Sequence, residues 1–83
     1  MTKSYEDLVS RMKKLGNRFR WTSTGYSWAL VEANTMAAAY ETRSDWEVEK
    51  LSEKLIDSGF QINRRDFFEK KNYSAFHEDG IVF

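Results

Sequence analysis

The chain has 83 residues, 13 of them basic and 13 acidic, with 41% hydrophobic content, 16% aromatics and no cysteine. That is enough for one small domain over residues 1–83 with a thin core, and too apolar for a disordered chain. It excludes disulfide staples and thiolate metal sites, and a formal charge of zero removes any global pull toward nucleic acid.

The opening stretch MTKSYEDLVSRM lacks a continuous apolar run, so no signal peptide is expected, and no window approaches the length of a membrane span. A soluble, cytoplasmic domain is the expectation. Its charge is unevenly spread. Residues 1–20 hold six basic groups against Glu6 and Asp7, a net of +4, whereas residues 21–62 carry a net of −4. Such polarity either marks a contact surface or holds the two ends of the domain together.

Ser4 to Leu15 reads as an amphipathic helix. Ser4 is placed to cap it, Tyr5, Leu8, Val9, Met12 and Leu15 share one face, and Gly16 stands at its end. Asn17 to Trp21 alternates, with Arg18 and Arg20 on one side and Phe19 and Trp21 on the other, which predicts a half-buried strand. TSTG at 22–25 has turn chemistry. Tyr26 to Val31 then predicts a second strand with Tyr26, Trp28 and Leu30 on one face. Residues 32–43 are open to two readings, since MAAAYE has helical propensity. A strand returning from a turn at Ala33–Asn34 is favoured because the next helix has its own cap.

That next helix, SDWEVEKLSEKLIDSGF over 44–60, has the clearest signals in the chain. Ser44 and Glu47 form the spacing of a capping box, and Val48, Leu51 and Leu55 make an apolar stripe. Gly59 and Phe60 suit a Schellman stop. Trp46 projects almost opposite the stripe, beside Glu49, Lys50, Glu53 and Asp57. It either tucks under a neighbouring loop or stands exposed on an acidic face as an anchor for a protein partner, with Glu49, Glu53 and Asp57 around it.

Beyond Gly59 two readings stay open: Phe60 to Arg64 alternates like a short strand, or Asn63 with Asp66 instead caps a brief helix through DFFEKKN. Ile81-Val82-Phe83 is expected to dock as an edge strand after the HEDG turn. The fold class expected is therefore α+β: a small α-β-β-β-α core, an antiparallel meander packed by two amphipathic helices, and a short irregular or β C-terminal segment.

Chemistry is sparse. The single histidine, His77, has no second histidine or cysteine to complete a zinc site. Ser74 and His77 lack an orienting acid and an oxyanion hole. No phosphate loop or dinucleotide fingerprint is present. No enzyme, cofactor or metal is expected.

A small non-enzymatic module that binds and modulates or inhibits a protein partner fits best, including phage-type accessory or host-takeover factors. The alternative is an RNA-binding module. It would use Arg11, Lys13, Lys14, Arg18 and Arg20, extended by Arg64 and Arg65 with Lys70 and Lys71. A second alternative is the subunit of a homo-oligomer or larger assembly, given the thin core. The order helix, three strands, helix resembles that of the double-stranded RNA-binding domain. Where that family opens its second helix with a lysine-rich phosphate clamp, this chain reads SDWEVEKL, whose charge would repel RNA, so the resemblance is one of topology only.

Overall fold

Two helices lie on one face of a four-stranded sheet. The computed structural model describes residues 2–70, with α1 over Thr2–Leu15, β1 over Arg18–Ser23, β2 over Trp28–Glu32 and β3 over Ala38–Thr42. They are followed by α2 over Asp45–Asp57, β4 over Gln61–Asn63 and a last helical run over 65–70. The α+β class and the α-β-β-β-α core are as expected from the sequence. The sheet order is β3-β2-β1-β4, with the first three strands antiparallel and β4 parallel to β1. The edge strand expected at Ile81–Phe83, the HEDG turn, His77, Ser74 and Lys71 lie outside the described residues.

Alternation decides the two faces of the sheet. Trp21 pairs with Leu30, and Leu30 with Tyr40, so these side chains project together from β1, β2 and β3. Leu8 and Met12 from α1 and Val48 and Leu55 from α2 join Phe19, Trp21 and Leu30 in a single core, which places both helices on that face. Burying large aromatic and aliphatic side chains there supplies about 1.5–3 kcal/mol each. Phe19 meets Phe60 edge to face, with ring centroids 5.9 Å apart. Phe67, from the last helical run, is fully buried against Trp28 at 5.1 Å.

Four local expectations need correction. α1 begins at Thr2, so Ser4 stands inside the first turn instead of capping it. β1 runs on to Ser23, and the turn falls at 24–27. There the Thr24 N–H donates to the Ser27 carbonyl (2.9 Å), and the Thr24 and Ser27 hydroxyls bond at 2.6 Å. Tyr26 therefore leaves the strand and is 75% exposed, with the Arg43 guanidinium 4.9 Å from its ring centre.

Only half of the capping box forms in α2. Ser44 Oγ accepts from the Glu47 N–H (3.1 Å), but the Ser44 N–H is taken by Thr42 Oγ1 (3.0 Å). Finally, the fully buried stripe of α2 is Val48, Ser52 and Leu55, with Leu51 only half-buried, because the Trp21 indole recruits Ser52.

Other signals are realised as read. The Phe60 N–H reaches the Leu55 carbonyl (3.1 Å), the Gly59 N–H reaches the Ile56 carbonyl (3.0 Å), and Gly59 has φ 104°, a complete Schellman stop. Residues 61–63 form the short strand, and Asn63 Oδ1 accepts from the Arg65 N–H (2.8 Å) at the start of the helical run. Residues 38–42 are strand, and the turn before them is organised by Glu32. Its Oε1 accepts from the N–H of Asn34 (2.8 Å) and Thr35 (2.7 Å) and from the Thr35 hydroxyl (3.1 Å).

Candidate functional site

The α2 helix presents two adjacent rows of side chains at i, i+4, i+8 spacing, and they face different surroundings. Trp46, Lys50 and Lys54 form one row and line a groove closed on its other sides by Ser4, Tyr5 and Leu8 of α1 and Tyr40 of β3. Glu47 and Leu51 complete its wall, and the groove holds about 390 Å³. Glu49, Glu53 and Asp57 form the second row and do not line the groove. Trp46 is 68% exposed, so it does not tuck under a loop, and its neighbours in the groove are apolar and aromatic side chains with Ser4, Glu47, Lys50 and Lys54.

Hydrogen bonds hold the groove walls together. Tyr5 donates its hydroxyl to the Lys54 carbonyl (3.1 Å), and that hydroxyl also bonds Ser58 Oγ (2.8 Å), tying the start of α1 to the end of α2. The Lys54 ammonium lies 4.8 Å from the Tyr5 ring centre, a cation–π contact. Tyr40 is half-buried. Desolvation first, and then its bond to the Glu47 carboxylate and that group's charge, push the phenol above its ordinary value of 10.0. Glu47 is thus engaged inside the groove, while Lys50 is exposed and has no ion-pair partner among the described residues.

The basic residues read from the sequence are not brought into one surface. Arg11 donates to the Ala39 carbonyl (2.7 Å) and so covers part of the outer edge of β3. Lys13 lies at a different place, in a shallow hollow with Tyr5, Glu6, Val9, Ser10 and Ser58, and Lys14 is exposed. Arg18 and Arg20 share a polar cleft with Gln61 and Asn63 where β4 meets β1, of about 380 Å³. Within it Arg20 is committed to Asp66 (3.0 Å) and to Met36 Sδ (3.0 Å). Arg65 pairs with Glu69 at 3.6 Å, and the Arg64 guanidinium lies over the Phe68 ring at 5.2 Å.

Among the described residues no group of three or more His, Cys, Asp or Glu side chains could hold a metal ion. No helix of the described residues is long and apolar enough to cross a membrane.

Sequence reasoning found Trp46 but missed the groove. Tyr5 and Leu8 were legible only as a core face, and Tyr40 only as part of an uncertain strand. The usable signal was the i, i+4, i+8 row of Trp46, Lys50 and Lys54; what that row would face depends on where α1 docks. No protein-family model matches this chain, and no match is found among curated proteins or among solved structures.

Proposed function

We propose that this protein is a small non-enzymatic interaction module that binds a protein partner through Trp46 and the groove beside it, and modulates or inhibits that partner by occupying its surface. The observation that supports this reading is the 68% exposure of Trp46 along an apolar groove lined by Tyr5, Leu8, Tyr40 and Leu51. Exposed tryptophan is costly to leave in water and is enriched among residues that dominate binding energy. Glu49, Glu53 and Asp57 flank this surface as a polar rim.

RNA binding draws less support. Of the basic residues considered for it, Arg11, Arg20 and Arg65 are already held by Ala39, Asp66 and Glu69. Arg18 and Arg20 remain the nearest thing to a shared basic surface.

The test is affinity capture with a tagged full chain, with and without RNase, in parallel with its Trp46→Ala and Arg18→Glu/Arg20→Glu variants. A protein retained after RNase by the parent and lost by Trp46→Ala is the expected result. Capture unaffected by Trp46→Ala overturns the reading, and capture abolished by RNase transfers it to the arginines.

A further inference from the structure

We infer, building on the reading of Trp46 as a contact residue, that the outward ridge of α2 pairs antiparallel with the same ridge of a second copy of this chain. The two-fold axis passes midway along α2, level with Leu51 and Ser52. Lys50 of each copy then meets Glu53 of the other.

Spacing and exposure define the ridge. At about 100° per residue, Trp46, Lys50, Glu53 and Asp57 fall within about 60° of one another, on the side away from Val48, Ser52 and Leu55. All four are exposed. They follow one another at steps of four, three and four residues, the spacing with which one helix tracks along another.

Charge selects the occupant. Residues four apart are the ones that pair along a helix, and here they carry like sign: Lys50 with Lys54, and Glu53 with Asp57. None of these four forms an ion pair with a described residue. The ridge is instead complementary to its own reverse. Laid antiparallel on itself, it sets Lys50 opposite Glu53 twice. Trp46 lies opposite Asp57, whose carboxylate accepts from the indole N–H.

Other arrangements of the two ridges lose this match. A parallel two-fold pair sets Lys50 against Lys50 and Glu53 against Glu53. Sliding the antiparallel pair by a heptad, the step that keeps ridge on ridge, sets Glu53 against Asp57 in one direction. In the other it leaves both acids beyond the start of the partner helix at Asp45. The contact of one helix on another is smaller than that of a lasting complex, so the dimer exchanges and is half formed at about 0.1 mM. A foreign partner captured from more dilute solution meets Trp46 free.

The experiment is sedimentation equilibrium of the full chain between about 10 μM and 1 mM. The parent is compared with Lys50→Glu, Glu53→Lys, the double exchange Lys50→Glu/Glu53→Lys, and Trp46→Ala. Lys14→Glu, at an exposed position on α1, controls for net charge. The indole N–H resonance of Trp21, which is bonded to Ser52, reports the fold of each variant.

Each single charge change is expected to weaken association by about tenfold or more, and the double exchange to restore it to within about twofold of the parent. Trp46→Ala and raised salt should both weaken it, and Lys14→Glu should not. A parent that stays monomeric at about 1 mM overturns the inference. So does a dimer indifferent to both single changes, which uses another surface. A double exchange that stays dissociated with the Trp21 resonance in place overturns it as well.

If the parent is a monomer while native capture still depends on Trp46, the dimer is wrong and the binding module stands with a foreign occupant. If association follows the charge exchange while capture ignores Trp46, the seam stands and the module fails.

Discussion

Trp21 donates its indole N–H to Ser52 Oγ at 2.7 Å, and the Ser52 hydroxyl donates in turn to the Val48 carbonyl at 2.6 Å. All three residues are 0% exposed, so this short chain of bonds fastens α2 to β1 from within the core. A serine there also explains why the large indole can be buried at all, since an unpartnered N–H in this position would be costly.

Ser52→Ala should therefore destabilise the protein by about 1–3 kcal/mol, because it strands a buried donor. In a domain of this size that lowers the thermal midpoint by about 4–8 °C per kcal/mol. A midpoint unchanged in differential scanning calorimetry would mean that the indole finds another acceptor.

Glu32 should contribute to the acid limb of stability. The Thr35 N–H holds its carboxyl below the ordinary value of 4.5, desolvation works the other way, and the Asn34 N–H, the Thr35 hydroxyl and the charge of Arg18 add to the lowering. A carboxylate depressed in the folded state contributes stability that is present above its unfolded value and lost as pH falls through the folded one. Urea midpoints of the parent should drop on acidification below pH 4.5 more steeply than those of Glu32→Gln. Parallel curves would remove Glu32 from this role.

Gly16→Ala tests the same corner by crowding. A methyl at that position would come 2.9 Å from Glu32 Oε2 and 3.1 Å from its Cγ, so the Glu32 side chain must shift, which strains the bonds its Oε1 accepts. The expected result is a loss of about 1 kcal/mol or more, measured by urea unfolding at neutral pH. A neutral outcome would show that the Glu32 side chain yields without disturbing the turn.

Gly59→Ala separates conformation from packing. Nothing lies within 4 Å of the added methyl, so only the backbone at φ 104° opposes it. A cost of about 1 kcal/mol is expected in the same assay. A much larger cost would reveal a packing clash that the structure does not contain.

Phe67 joins the last helical run to the domain. Phe67→Ala removes a fully buried ring seated 5.1 Å from Trp28 and should cost about 3–5 kcal/mol, most of the stability of so small a domain. Thermal unfolding followed by circular dichroism should show the midpoint falling by about 12 °C or more. A small shift would mean that residues 65–70 pack only loosely.

The legible parts of the fold are those written in local chemistry. Ser44 and Gly59 mark the ends of α2 because a cap and a left-handed stop depend on residues within one turn. The strand at 38–42 was legible only indirectly, through the separate cap that follows it. What escaped depends on contacts between distant residues. Ser52 is a polar position on a helix by sequence, and only the Trp21 indole beneath it accounts for its burial. Tyr26 alternated correctly with Trp28 but was drawn out by the Thr24–Ser27 turn. At the groove, Trp46 stood out by its position opposite the apolar stripe, whereas the roles of Tyr5, Tyr40 and Lys54 arise only when α1 settles against α2.

The parallel seam between β1 and β4 has a consequence for the order in which the molecule assembles. The β1–β2 and β2–β3 pairs join segments that are neighbours in sequence, and each can zip from its own turn. Arg18 meets Gln61 only after the meander and α2 have been threaded between them. The closure entropy of that long loop must be met before the seam returns any stabilisation, so the fourth strand and Phe67 join late. Substitutions at Ile62 or Phe67 should then accelerate unfolding and leave the refolding rate nearly unchanged, whereas Leu30→Ala should slow refolding. The same lateness predicts that the last part of the described chain is the first to let go, the fourth strand opening while the three-stranded meander and its helices stay closed.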